Sequence, residues 1–582
     1  PPLRPSGHAD AAVRDVTMRG AALVLVVLLA AAPSHAQQST TGITVTQEEM
    51  LSLPLGRTIA DVLVLAPGVD SGAFTTPRIF RSFFPAFYAD GLPANIALPV
   101  EFMETATVRT GGISVEYDGP VVDVTFRNGR QRPHATLFGY TTPSDLQSDL
   151  PDRNARASDF GATFGVANQV LSFFGGVDRF QSRTRSASGS SRFTLRSTAT
   201  TYVARLAAQA TPHWTLTAEL LGNPGRFEST LDSSPGPASF EARRGIHRAS
   251  LRASRTTAAW LVDASIGHSA AHTDDPSHIS QNALRIAVEH PLAAQHVVHF
   301  GGETQRLSSR YTYLDGSVRI REDAVALWLA DVWQLRPSLT LTGGLRWWRE
   351  VDEGRSAGPM FFFHSVQRRT ELDPRLSLVW ASATATRISA SVHQYSGQPF
   401  AGIATPAPAT PSIRPRPIIE TIVRAERTFG AWRAGGFVID QQHRDFRAIV
   451  GEAAYTGATG LRLHGSYLLG NRGYADAARQ LLEADGAYAF PAGATNVELG
   501  TIVTASAGHR STFMRRGSQA RLDLHGGLAF RAGAATPRLV VDIFNVTGND
   551  RVTETVTNFD GVDVAFVRQP PRSIRLGLRV SF

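Results

Sequence analysis

The sequence predicts an all-β membrane protein, a transmembrane antiparallel β-barrel of about 22 strands preceded by a small α/β domain. Three observations carry that prediction. From residue 134 onward, segments of roughly ten residues alternate apolar and polar with period two, and none keeps a 3.6-residue period. The connections between segments take turns in length, short then long. The chain ends RSIRLGLRVSF, where Ile574, Leu576, Leu578, Val580 and Phe582 share one face and Arg575 and Arg579 the other.

The strands come first. TLTGGLRWW (340–348), TRISASVHQY (386–395), ARLDLHGGLAF (520–530) and RLVVDIFNV (538–546) each place apolar side chains on one face. The short connections are 336–338, 382–385, 428–431, 456–459, 491–495 and 532–537. The long polar ones are 143–156, 223–242, 268–280, 350–370, 398–414, 470–479 and 547–561. Such alternation puts every tight hairpin at one end and every long loop at the other, the asymmetry of an outer-membrane barrel. A bilayer offers no water to an open sheet edge, so the sheet must close and the last strand must pair with the first. Its apolar face then meets lipid and its arginines face the lumen.

Composition narrows the alternatives. The chain has 582 residues, 42% of them hydrophobic, and no cysteine, so neither disulfides nor a cysteine-linked lipid anchor are available. The net charge of +8 is carried by arginine without lysine. The arginines stand singly, with no basic run and no aromatic-basic pattern, which argues against a nucleic-acid surface. Met18-Arg19, the apolar GAALVLVVLLAAA, and Ser34 and Ala36 before Gln37 form a secretory signal over residues 1–36, with translation starting at Met18. The apolar run falls short of the ~20 residues of a spanning helix.

Residues 37–133 have another texture. GITVT reads as a short strand and Thr46, with Glu48 and Glu49 behind it, as a helix start. A second helix carries Ile59, Val62 and Leu63 on one side and ends at Pro67-Gly68. The short strands FYADGLP, METATVRTGG and GPVVDVTFRNG follow.

These pieces, in this order, resemble the plug domain of TonB-dependent outer-membrane receptors: VTQEEMLSLPLGRTIADVLVLAPGV, YADGLP, ISVEYDGP and VVDVTFRNG. The barrel resembles the family as well, in ALWLADVWQLRPSLTLTGGLRWW (326–348), LDPRLSLVW (372–380), VVDIFNVTGND (540–550) and the terminal GLRVSF. The closest flavour is the Oar-like group, without its extra N-terminal β-sandwich domain. The resemblance implies a signal peptide (1–36), an N-terminal segment (37–45), a plug domain in the lumen (46–133) and a barrel (134–582). It implies a Gram-negative outer-membrane location and gated import of an unidentified cargo, with TonB and its inner-membrane energising complex as partners. The other partners implied are outer-membrane lipid and the barrel-assembly machinery, which reads closing strands of the form Ile574, Leu576, Leu578, Val580, Phe582. A monomer without cofactors is expected.

The resemblance also directs attention to particular residues. Gly42, Ile43, Thr44, Val45 and Thr46 serve either as the TonB box or as the first plug strand. In a plug loop, Arg81, Phe83, Phe84, Phe87 and Tyr88 either form a charge-plus-aromatic cargo surface or pack the plug against the barrel wall. Phe361, Phe362 and Phe363 either cap the cavity or belong to an aromatic girdle. Arg575 and Arg579 are expected to pair with plug carboxylates such as Glu101 or Glu104. If coupling has been lost, the alternative is a passive pore or a surface-binding barrel.

No enzyme motif is present: no Gly-x-Ser-x-Gly, no His-Glu-x-x-His, no phosphate loop. His296 and His299 fall on opposite faces of a strand and cannot chelate together. His268, His272, Asp274, Asp275 and His278 mix imidazole and carboxylate in an expected outer loop, a set that could bind a transition metal; an ordinary solvated loop is the expectation.

Overall fold

The computed structural model describes residues 41–67, 86–94, 98–117, 119–147, 153–188, 191–233, 236–273, 278–313, 316–357, 364–382, 385–395, 417–442, 446–470, 480–507, 514–516, 518–548, 552–557, 563–568 and 571–582. Among them, twenty-three hydrogen-bonded segments close into one barrel. Two of these, Trp214–Gly222 and Gly225–Ser233, continue one another across Asn223 and Pro224. Both pair with Ser191–Thr211 on one side and Gly236–Thr256 on the other, and the register carries straight across Asn223 and Pro224. Proline has no N–H to give the ladder, so the break falls there. The barrel is therefore twenty-two strands of antiparallel sheet.

Closure is made by the last strand. Ser573–Ser581 pairs with Thr536–Phe544 on one side and with His134–Thr142 on the other. Phe582 extends the seam: its N–H donates to the Ala135 carbonyl at 2.9 Å, and Ala135 N–H donates back at 3.4 Å. Leu576, Leu578 and Phe582 are exposed on the outer face, whereas Arg575 is buried toward the lumen.

The same alternation runs round the wall. Leu206, Leu220, Leu251, Ile266, Leu284 and Leu327 are all exposed, as are many like them, forming an apolar belt. A belt of that extent requires hydrocarbon as its solvent. At the tight-turn end it is bordered by paired rings: Trp260 on His290 (3.9 Å), Trp333 on His296 (5.3 Å), Trp432 on Tyr455 (4.8 Å) and Tyr488 on Phe490 (5.1 Å). No described helix is long and apolar enough to cross a membrane.

The other end departs from the sequence reading. The stretches 223–242, 268–280 and 350–370, expected as long loops, are largely strand. Ser191–Thr211, Gly236–Thr256 and Gly316–Arg336 each run 21 residues, about twice what crossing needs. Polarity there marks water on both faces of a continuing hairpin, not an end to pairing. Among the described residues other strands are shorter: Thr386–Tyr395 and Leu461–Gly470 have 10 residues each. Phe361, Phe362 and Phe363 lie outside the described residues.

Inside sits a five-stranded sheet. Its strands are β1 (Thr41–Thr46), β2 (Ala86–Ala89), β3 (Leu92–Pro93), β4 (Met103–Gly111) and β5 (Val121–Phe126), in the order β1-β4-β5-β2-β3. All pairs are antiparallel except β2–β5. Helix α1 (Gln47–Leu51) starts as expected, with a capping box between Thr46 and Glu49. The second expected helix is a 3-10 helix, Ile59–Leu65. Ile59, Val62 and Leu65 recur every third residue and are all buried, the repeat of three residues per turn. One apolar cluster joins this plug to the wall, running from Phe102, Val122 and Val124 to Phe174, Val203 and Leu221.

Candidate functional site

The plug seat is where the chemistry concentrates. Lumen-facing arginines of the barrel reach the plug and end on its backbone carbonyls, while barrel carboxylates on nearby strands hold the guanidinium groups in place.

The first contact point is the hairpin β2–β3. Its turn is Asp90-Gly91, both with positive φ (49° and 79°), the conformation that favours Gly at the second position. Arg248 donates to the carbonyls of Leu92 (3.4 Å), Pro93 (3.3 Å) and Ala89 (3.3 Å) and pairs with Glu219. Arg205 pairs with Asp90 and donates to Asn128 Oδ1 at 3.0 Å. Arg252 stands 3.6 Å from Asp90.

The second contact point is the segment 113–117 after β4. Arg375 donates to the carbonyls of Ile113 (3.0 Å), Ser114 and Tyr117 (2.6 Å). Arg346 donates to Val115 O (3.3 Å) and Glu116 O (2.8 Å) and pairs with Glu303 at 2.6 Å. Arg285 pairs with Glu116 at 2.6 Å and lies over the Tyr117 ring.

The third is α1 and the residues after it. Arg538 donates to Leu51 O (2.9 Å) and Arg575 to Leu55 O (2.7 Å). Arg462 pairs with Glu49 (2.9 Å) and donates to Ser52 Oγ (3.2 Å). Gly500 makes the close approach possible, since a Cβ there would overlap the Ser52 carbonyl. Arg538 pairs with Glu498 and Arg575 with Asp542 (2.8 Å); Asp542 also accepts from His525 Nδ1 at 2.7 Å.

This corrects one expectation. Arg575 meets a plug carbonyl and a barrel carboxylate instead of Glu101 or Glu104, and Arg579 makes no ion pair among the described residues. Glu101 is fully buried and pairs with Arg57 of the plug itself, which also pairs with Asp159 of the wall at 3.1 Å. Burial works against the Arg57 charge, but Glu101, Tyr140 and Asp159 hold it on, above the ordinary guanidinium range. A backbone dipole needs no desolvated countercharge, so at Arg575 a plug carbonyl serves in place of a plug acid.

Of the plug-loop candidates, Arg81, Phe83 and Phe84 lie outside the described residues. Phe87 is half-buried against the plug core. Tyr88 is buried, edge-on to Tyr117 at 5.2 Å. Both sit in packing, and Tyr88 faces the wall arginine Arg285 at 5.7 Å. Burial raises the Tyr88 hydroxyl well above its usual range and pushes Tyr117 up to about 12, with Asp123 beside it adding to the shift. Residues 42–46 are all within β1, paired to β4 from Gly42↔Arg109 to Thr46↔Thr105. The plug sheet thus begins at Thr41, ahead of the boundary at residue 46 that the sequence suggested.

His268 bonds Asn282 Oδ1 at 2.8 Å, His272 and His278 face each other in register, and Asp274 and Asp275 lie outside the described residues. His296 pairs with Asp331 and His299 with Glu289, each its own acid.

A closed barrel of twenty-two strands around a mixed plug sheet is a specific arrangement. It superposes on the ferric yersiniabactin uptake receptor FyuA from Yersinia pestis with a TM-score of 0.69 at 13% identity, over 93% of this chain and 98% of that one. The chain has the fold of the TonB-dependent outer-membrane receptors. A mutant form of the ferric enterobactin receptor PfeA from Pseudomonas aeruginosa gives 0.68 at 14% identity, covering 94% of this chain and 98% of that one. The unliganded ferric citrate transporter FecA gives 0.67 at 13%, covering 95% and 100%. These neighbours of the TonB-dependent receptor fold are receptors and transporters, not enzymes. No family model and no curated protein sequence matches the chain.

The arginine brackets were hidden in the sequence. Each is a single Arg at lumen parity, and the carboxylates of Arg248, Arg346, Arg538 and Arg575 lie far away along the chain. The usable signal was their parity: Arg248, Arg346, Arg375, Arg538 and Arg575 all fall on the face opposite the leucines of their own strands.

Proposed function

We propose that this chain is a TonB-dependent receptor of the outer membrane that imports cargo by moving its plug within the barrel. The observation that carries the reading is the seat itself. A folded plug is held inside a closed lumen largely by arginine bonds to its backbone carbonyls, contacts that water can replace when the plug shifts. The apolar belt supports the membrane location. The solved neighbours are named for ferric chelates, so a ferric chelate is the first cargo class to test.

A second reading, an uncoupled pore or surface-binding barrel, is favoured by one observation. The segment 42–46, the candidate TonB box, is bonded into the plug sheet along its length. The deciding experiment is binding of a peptide spanning residues 37–50 to the periplasmic domain of the host TonB, against a scrambled control. Specific binding that disappears on Val45→Pro supports coupled import. A peptide that does not bind favours the uncoupled barrel and removes import from the claim.

A further inference from the structure

On the outer surface of the tall wall, arginines face one another across three neighbouring strands. Arg156 lies directly opposite Arg183, and Arg183 directly opposite Arg196. Like charges in directly opposed cross-strand positions destabilise a sheet. Arg185 stands two residues beyond Arg183, and the charges of Arg185, Arg196 and Arg156 all bear on Arg183, opposed by the single acid Glu228. Among the described residues, Arg156, Arg183 and Arg185 make no ion pair, and Arg183 Nε has no hydrogen-bond partner. Arg196 has one acid, Glu228, at 3.6 Å with both groups well exposed. Elsewhere on the same surface the pattern is different. Arg306 and Arg321 share Asp323 (2.5 and 2.7 Å), and Arg355 has Glu353 (2.5 Å). The excess of positive charge, three or more arginines to one acid, is therefore local.

Its position says what would neutralise it. These residues share the outward parity of Phe160, Phe164, Phe173 and Val177, exposed members of the apolar belt. Phe160 is directly opposite Arg179, and Arg183 lies four residues further toward the long-hairpin end. The patch thus sits just above the belt, at headgroup height, with apolar surface continuous beneath it. Planar guanidinium groups in a row suit phosphate oxygens, which they bind by charge-assisted, often bidentate, bonds. A soluble anion would use the charge and leave the apolar surface below unused.

We propose that Arg156, Arg183 and Arg196 form a binding site for the phosphorylated headgroup of an outer-leaflet glycolipid, whose acyl chains lie on the phenylalanine surface beneath. This rests on the reading that the long-hairpin end faces outward from an outer membrane. The test is titration of the purified full-length protein in detergent with bisphosphorylated lipid A, read by native mass spectrometry. Location is checked separately by membrane fractionation before extraction, so failure of the membrane reading and failure of the site are distinguishable. Expected is binding that weakens at least about tenfold in R156Q/R183Q/R196Q, with R306Q/R321Q unchanged. Dephosphorylated lipid A should bind the unaltered protein as weakly as lipid A binds the triple variant. Folding of each variant is confirmed by heat-modifiable migration; if the triple variant fails it, R183Q alone is used and a smaller loss is expected. Equal binding by the folded variant and the unaltered protein overturns the proposal, as does displacement by pyrophosphate at concentrations matching the lipid, which would make this a soluble-anion site.

Discussion

The Arg375 guanidinium donates to the Tyr117 carbonyl at 2.6 Å, from a barrel strand to a plug segment 258 residues away in sequence. The same group also takes the carbonyls of Ile113 and Ser114. One side chain thereby fixes one face of the plug, and the wall repeats the device at Arg248, Arg346, Arg538 and Arg575. Shape alone would let a plug rotate in a roughly cylindrical lumen. Directional bonds to identified carbonyls set its orientation.

Arg375→Ala should loosen the plug without opening the barrel. Losing charge-assisted bonds to buried carbonyls costs about 2 kcal/mol or more. Backbone amides of 113–117 should then exchange hydrogen roughly thirtyfold faster, while amides of the wall are unchanged. Arg355→Ala, on the exposed surface, serves as the comparison. If the two variants exchange alike, the clamp is not what holds this segment.

Gly500→Val tests the seat from the opposite direction. A Cβ at Gly500 meets the Ser52 carbonyl, and backbone cannot step aside as a flexible side chain can. The cost is about 1–3 kcal/mol by overpacking, and it should appear as faster proteolysis of the plug near residues 49–55. At Gly451, where a Cβ meets nothing within 4 Å, Ala should be neutral. Equal protease sensitivity in the two variants would rule out a tight approach at Ser52.

How far the sequence told this in advance differs by level. Period-two alternation and the turn lengths specified a closed barrel because both follow from local chemistry: lipid outside, lumen inside, tight hairpins at one end. Thr46 announced a cap for the same reason, whereas the Asp90-Gly91 turn was missed because FYADGLP was read as one strand. The tall hairpins were misread because stretches such as 350–357 and 364–370 turn polar on both faces beyond the belt, and polarity was taken for a loop. The 3-10 helix was missed because Ile59, Val62 and Leu63 also suit a 3.6 period. The arginine brackets stayed invisible because Arg346 and Glu303 are 43 residues apart and meet only across the strand that lies between theirs in the sheet.

Alkaline pH should release the plug through Tyr117. Burial, with Asp123 next to it, lifts its hydroxyl from its ordinary 10.0 to about 12. A group whose folded pKa is raised favours the folded state below its unfolded pKa, and that stability is lost as pH rises through the folded value. For Tyr117 the window is pH 10 to about 12. Asp123 is also raised, first by burial, so its contribution declines from about pH 3.8 upward. Amide exchange of 113–126 followed against pH should show the alkaline fall, and Tyr117→Phe should flatten it. An unchanged alkaline fall in Tyr117→Phe would assign the effect to another group.

Phe582 should matter to assembly more than to final stability. Its ring is 55% exposed on the outer face, so the folded barrel gains little packing from it. Its backbone, however, makes the last two hydrogen bonds of the seam with Ala135, beside the pairing of Ser581 with Thr136. Phe582→Ala keeps those bonds and removes only the ring. Deleting the residue removes both, with the bonds worth about 1 kcal/mol each. Heat-modifiable migration of protein recovered from membranes separates the effects. Phe582→Ala should lower the amount assembled while leaving the unfolding temperature of what does assemble nearly unchanged. Deletion should lower both. If Phe582→Ala is made in normal amounts, the ring is not an assembly signal, and the alternating strand 574–580 is sufficient to close the barrel.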